Sequence, residues 1–279
     1  MKTILLFLSV LSSTALFGQN VYIPDATFKL LLIENTSVNT NLDTEIQVSE
    51  ATAFDDFIYV PSAGISDMTG IEAFTAITGL DCQFNQLTSL DVSQNVALEF
   101  LNCWGNQLTS LDVSQNTALE TLYCHSNQLT SLDVSQNTAL TDLDCQGNQL
   151  TSLDVSQNVN LLGIQCYDNQ LTCLNVANGN NLDITLTADN NPDLTCIEVD
   201  NYIWATANWQ GQVHPEASFS QDCNNDCSSS TVGINELSTS KNLIQILDLM
   251  GRETSFKPNT PLIYVCDDGS IEKVFSVEY

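Results

Sequence analysis

The sequence predicts a β-rich solenoid, and three observations predict it. Five consecutive stretches, beginning at Gly79, Phe100, Thr121, Asp142 and Gly163, are near-copies of one 21-residue unit. Within each unit apolar residues alternate, as in Leu101 and Cys103 or Leu111 and Val113, which is the pattern of a strand with one face inward. An Asn recurs in register at Asn85, Asn106, Asn127, Asn148 and Asn169. A fixed period of this length marks coils that bury their apolar face only by stacking on one another.

Ahead of the coils, MKTILLFLSVLSSTALFGQN has a basic start, an apolar run from Ile4 to Val10 and small residues up to Gly18. It reads as a secretory signal peptide over residues 1–18, and no other stretch is apolar enough to span a bilayer. The chain is expected to be secreted or held at the cell surface. Residues 19–57 form the N-terminal cap. Asp25, after Pro24, is placed to cap a helix through Phe28, Leu31 and Leu32, and a short second helix follows. The solenoid proper runs over 58–199, opening with an irregular coil at 58–78.

The repeat contains one phrase twice: L-x-x-L-x-C-x-x-N, then L-x-x-L-x-V-x-x-N. Each coil should carry two short strands, giving two parallel sheets about 10 Å apart, with strands about 4.8 Å apart within each. The Asn columns, the second being Asn95, Asn116, Asn137 and Asn158, suit corners where the turning backbone leaves groups unpaired. The phrase resembles the leucine-rich-repeat signature L-x-x-L-x-L-x-x-N-x-L, with Cys in place of the third Leu in the first half and Val in the second, and the nested 21-residue form resembles the bacterial IRREKO class. The segment ISDMTGIEAF resembles the leading repeat of internalin-like proteins. The resemblance implies an interaction scaffold, often extracellular, and does not imply catalysis.

Cys82, Cys103, Cys124, Cys145 and Cys166 share one inward position of successive coils. In-register parallel strands point their Cβ atoms the same way, a poor start for a disulfide, so these read as buried thiols. His125 and Asp144 flank the column and should project outward. Cys173, Cys196, Cys223 and Cys227 lie where the repeat decays. An exported chain permits disulfides; a Cys196–Cys223 staple is expected, with Cys173–Cys227 as a further pairing. The C-terminal cap is expected at 200–223, where NYIWATANWQ reads as a helix with Tyr202, Ala205 and Trp209 on the face that covers the core. Residues 224–241 read as a Ser-rich linker and 242–279 as a β-rich tail with a hairpin turn at Asp268-Gly269. LDLMGRE and the strands after it resemble type IX secretion sorting domains of Bacteroidota, without the usual Y-P-N-P motif.

Charge narrows the partners. There are 34 acidic residues against 6 basic, and no Lys or Arg lies between Lys29 and Lys241. A polyanion without a basic patch does not neutralise phosphates, so nucleic acid and anionic lipid are poor partners. The outward columns of the second half hardly vary: Asp91, Asp112, Asp133 and Asp154 form one line. Those of the first half do vary and carry aromatics. Phe100, Trp104, Tyr123, His125 and Tyr167 are the candidate contact residues for a protein or glycan ligand, with Phe84 close by.

A second reading is a calcium-dependent structural or adhesion protein, using the Asp line or the loop between the first two helices. That loop resembles an EF-hand frame, with Asn39, Asn41, Asp43 and Glu50 as implied ligands, but with Asn39 for the first Asp and Thr44 for the Gly. No cofactor other than calcium is suggested. No nucleophile elbow, phosphate loop or metal-ligand spacing is present, and a flat sheet face lacks a water-excluding pocket, so the sequence points away from an enzyme.

Overall fold

The computed structural model describes residues 18–180, 184–223 and 227, and the backbone of three strands in the tail. It divides into two compact units, 1–229 and 230–279. The expected signal peptide, most of the linker and the Asp268-Gly269 turn lie outside the described residues.

The first unit opens with helix α1 (Ala26–Glu34). Its start is fixed by Asp25, whose carboxylate accepts from the backbone N–H of Thr27 and Phe28, each at 3.0 Å. The other oxygen of Asp25 accepts from Ser66 N at 2.9 Å, so one side chain both caps the helix and ties it to the leading coil. Helix α2 (Val48–Ala53) begins with a capping box between Gln47 and Glu50. Phe28, Leu32, Val38 and Ile46 are buried beneath these helices and seal the first coil.

Among the described residues the coils then carry eleven short strands: β1 (Phe57–Tyr59), β2 (Gly79–Asp81), β3 (Phe100–Asn102), β4 (Thr121–Tyr123), β5 (Asp142–Asp144), β6 (Ser152–Asp154), β7 (Gly163–Gln165), β8 (Cys173–Asn175), β9 (Thr185–Thr187), β10 (Cys196–Glu198) and β11 (Ser218–Ser220). The longer sheet runs β1-β2-β3-β4-β5-β7-β9, all parallel and in strict coil-to-coil register. Its central inward positions, Leu80, Leu101, Leu122, Leu143, Ile164 and Leu186, are fully buried, each contributing about 1.5–3 kcal/mol. The fold is therefore the parallel-strand solenoid that the repeat period predicts.

The second sheet is shorter, β11-β10-β8-β6, and begins only in the fourth repeat. The segment TSLDVSQN is identical in the first four repeats, yet only Ser152–Asp154 is a strand. Burial of the central Leu follows the same gradient: Leu90 is half-buried, Leu111 is 7% exposed, Leu132 2%, Leu153 1% and Leu174 0%. Pairing is thus set by the neighbour and not by the segment itself. The neighbours that pair are clipped covalently: Cys173, the first residue of β8, is bonded to Cys227, and Cys196, the first of β10, to Cys223.

Asparagine closes both corners. Asn127 Nδ2 donates to the carbonyls of Cys103 and Cys124, each at 3.1 Å, and its Oδ1 accepts from Leu108 N at 3.0 Å. Asn85, Asn106, Asn148 and Asn169 repeat the first of these patterns. At the other corner Asn116 Nδ2 donates to Val92 O and Asn95 O. The Asp line has a local role: Asp91, Asp112, Asp133 and Asp154 each accept from the N–H of the Ser two residues on. The five cysteines of the column are free and buried.

Helix α3 (Tyr202–Trp209) covers the far end, capped by Asn201, which accepts from Trp204 N. The covering face differs from expectation. Ala205 and Trp209 are buried, but Tyr202 in the first turn is 47% exposed. Trp204, partly buried, packs against the core instead, edge-on to Trp209 with ring centroids 5.3 Å apart. The second unit contains β12 (Leu243–Leu247), β13 (Pro261–Cys266) and β14 (Ile271–Phe275), antiparallel with β13 central.

Candidate functional site

The outer face of the longer sheet gathers the candidate residues. Strand register stacks Phe57, Gly79, Phe100, Thr121, Asp142, Gly163 and Thr185 in one column. A second column runs through Tyr59, Asp81, Asn102, Tyr123, Asp144, Gln165 and Thr187. Just past the strands lie Gln83, Trp104, His125, Gln146 and Tyr167.

Two rows of rings form on this face. Phe57 and Phe100 have centroids 5.3 Å apart, and Phe100 meets Tyr123 edge-on at 5.9 Å. The first contact skips a strand, because Gly79 lies between; a Cβ there would stand 2.0 Å from the Phe57 ring. The other row is Phe84, Trp104 and His125. Trp104 stacks on the imidazole at 4.4 Å, and the Phe84 ring centroid is 3.8 Å from the indole. Phe100, Trp104, Tyr123 and His125 are thus brought together, whereas Tyr167 stands two coils beyond His125 with Gln146 between.

Phe84 is the residue that the repeat pattern undervalues. It occupies a corner where Ser62, Gly105, Ser126, Gly147, Asp168 and Asn190 also take positive φ. Gly meets this need without strain; an aromatic at φ 52° carries about 1–2 kcal/mol of it. The ring is 51% exposed and lies over Gly105, so the strain holds an aromatic surface beside Trp104. Its signal in the sequence is a Phe in a column otherwise made of Gly, Ser, Asp and Asn.

Carboxylates lie between and beside the rings. Asp81 and Asp144 are on the outer face, yet each is only 6% exposed, because neighbouring side chains lie over them. Gln146 folds back on Asp144 through its side-chain amide at 3.1 Å, and His125 Nδ1 lies 3.1 Å from the same carboxylate. Asp81 accepts from the amides of Gln83 and Asn102. Asp142 is less provided for: the Tyr123 hydroxyl approaches it at 3.4 Å. Burial raises the pKa of Asp142, and the Asp144 charge adds to this against the lowering by Tyr123. Burial and the neighbouring Asp142 raise that of Tyr123.

The loop after α1 is arranged differently from an ion shell. Glu50 Oε1 accepts from Thr40 N and Asn41 N, and its Oε2 from Gln47 N. Asn39 Nδ2 donates to the carbonyls of Ile33 and Asp43. Asp43 accepts from Glu45 N, Asn41 Nδ2 and Gln47 Nε2. The oxygens of Glu50 and Asp43 serve the loop's own fold, while Asn39 Oδ1 is buried without a hydrogen-bond partner. Among the described residues no group of three or more His, Cys, Asp or Glu is placed to hold a metal ion, and no helix is long and apolar enough to cross a membrane.

Comparison with known proteins agrees with this architecture. A family model described as leucine-rich repeats (2 copies) matches residues 117–158. An internalin (inlF) from Listeria monocytogenes is similar in structure, with a TM-score of 0.50 at 19% identity, covering 68% of this chain. The chain spans 55% of that internalin's length. The functional domain of InlJ from the same organism, which includes a cysteine ladder, matches at 20% identity over 72% of this chain and 70% of its own, with a TM-score of 0.29. A leucine-rich-repeat protein from Leptospira interrogans matches at 20% identity over 56% of this chain and 51% of its own, with a TM-score of 0.38. A search of curated proteins finds no match. The register and the asparagine corners make the chain a parallel-strand solenoid of leucine-rich-repeat type, and that fold is shared with the internalin.

Proposed function

We propose that the chain is an exported, non-enzymatic interaction protein that binds a protein or glycan ligand on the outer face of the longer sheet. The observation that carries this reading is the contiguous ring row Phe84, Trp104 and His125, held just past the paired strands that carry Phe100 and Tyr123. Rigid aromatics lose little freedom on binding and supply large contact area, which is why they anchor interfaces. A strained Phe84 is a stability cost with a binding rationale. Export is supported by the signal-like N-terminus and by two disulfides, which persist in oxidising compartments. On this reading the tail at 242–279 is a sorting segment of the type IX kind, and its deletion should trap the chain inside the cell.

The test is ligand capture on intact cells and on a glycan array. Trp104→Ala combined with Tyr123→Ala should abolish capture and leave the melting transition cooperative. Capture that survives both substitutions would remove this face from consideration.

A further inference from the structure

The two glycines of the outer strand column have different surroundings. The place of a side chain at Gly79 is filled by the Phe57 ring. That at Gly163 is left open, and the nearest atom to a Cβ there is Asp142 Oδ1 at 3.5 Å. Gly163 lies within a strand and has no positive φ, so its backbone geometry does not call for glycine. What its bareness leaves is a hollow of about 540 Å³ lined by Asp142, Gly163, Gln165, Thr185 and Thr187, with Leu162 at its edge. Asp142 forms one wall, and the phenol of Tyr123 reaches the same carboxylate from the neighbouring strand.

The charge around this hollow has one sign. Asp144 follows Asp142 by two residues on the same strand, and the backbone of Asp142 is bonded to that of Glu120. No Lys or Arg occurs anywhere from residue 30 to 240, so the solenoid itself provides no ammonium or guanidinium to balance these carboxylates, and the one imidazole nearby, His125, lies against Asp144 and not Asp142. Burial weighs against the charged form of Asp142, and a cation placed beside it would reverse that. A neutral sugar stacks on aromatics but brings no charge to offset a negative field. A guanidinium or ammonium group does both, since it is drawn to the face of an aromatic ring as well as to a carboxylate.

We propose that the outer sheet face takes a basic peptide segment of a partner protein, with an arginine or lysine head seated in the hollow over Gly163 against Asp142. The ring rows Phe57–Phe100–Tyr123 and Phe84–Trp104–His125 then receive the aliphatic and apolar parts of the same segment. This rests on the ligand-binding reading of that face and names the chemistry it selects.

The probe is a phage-displayed library of random dodecapeptides panned on the chain carrying both disulfides. Selected peptides are then measured by fluorescence anisotropy beside copies in which arginine is replaced by citrulline and lysine by acetyl-lysine. Selected peptides should be enriched in Arg and Lys over the input library. Neutralising the basic residue should weaken binding roughly tenfold or more, as should Asp142→Asn. Gly163→Val should do the same by filling the hollow, while its melting temperature holds or rises, since a β-branched residue suits a strand better than glycine. Gly163→Ala, whose Cβ makes only ordinary contact, is the milder control. Selected peptides without basic residues, or affinity indifferent to both Asp142→Asn and Gly163→Val, would overturn the proposal. Glycan capture that is lost in the Trp104 and Tyr123 double variant, with no basic peptide selected, would sink it and leave the face reading standing. Basic peptides bound equally well by that double variant would sink both.

Discussion

Asn127 shows how much one residue can hold. Its amide satisfies two carbonyls and one N–H of three different segments in a buried corner. Asn127→Ala should cost about 2–3 kcal/mol, because it leaves the buried Leu108 N–H unpaired and removes one of the two amides that each of Cys103 O and Cys124 O accepts from, as a lowered urea midpoint will reveal. Phe84 makes the opposite case. Phe84→Asn keeps a residue that tolerates positive φ and removes the ring from Trp104. Stability should stay within about 1 kcal/mol, since relief of backbone strain offsets the lost ring contact, while tryptophan emission shifts to the red. A large loss of stability instead would mean that the ring is there for packing. The asparagine roles were legible in the sequence, because an amide in strict register has few other uses. The hollow at Gly163 was not, because an absent side chain matters only once it is known which neighbouring ring fills the gap. Gly79 and Gly163 look alike on paper, and a phenylalanine 22 residues before one of them makes the difference.

Strands make the same point one level up. Period-two alternation pointed to the strands of the repeats in the longer sheet, as Leu101 and Cys103 did for β3. The second sheet was legible only as a tendency, since four identical copies of TSLDVSQN behave differently. A strand needs a partner at ladder distance, and here the partners are those tied down by Cys173–Cys227 and Cys196–Cys223. Reducing the two bonds should therefore loosen β6, β8, β10 and β11 preferentially. Hydrogen exchange should rise there first, with the amides of β2 to β5 still protected; each bond contributes about 2–4 kcal/mol. Uniform loss of protection along both sheets would show that the clips are not what sustains the shorter one.

The solenoid as a whole carries a proton account. Burial pushes the Cys103 and Cys166 thiols up to about 12 from an ordinary 9.0, and those of Cys82, Cys124 and Cys145 well above it as well. A thiol that is harder to ionise when folded adds stability in full below the unfolded value of 9.0. That contribution falls as pH climbs from there towards about 12, because only the unfolded chain releases its protons. Urea midpoints should decline between neutral pH and pH ~10, and less steeply in Cys103→Val. An equal decline in that variant would assign the effect to other groups.

The middle rungs are interchangeable, and the two ends are not. Excising residues 106–126 joins Gly105 to Asn127 in frame, so the shortened chain still closes, one rung fewer between the same helical lids. By the same token a refolding chain can dock one rung on the wrong neighbour, skipping 21 residues at little local penalty. Only the dissimilar ends, α1 with its tie to Ser66 and the cystine-clipped strands at the other, keep count of how many rungs belong between them.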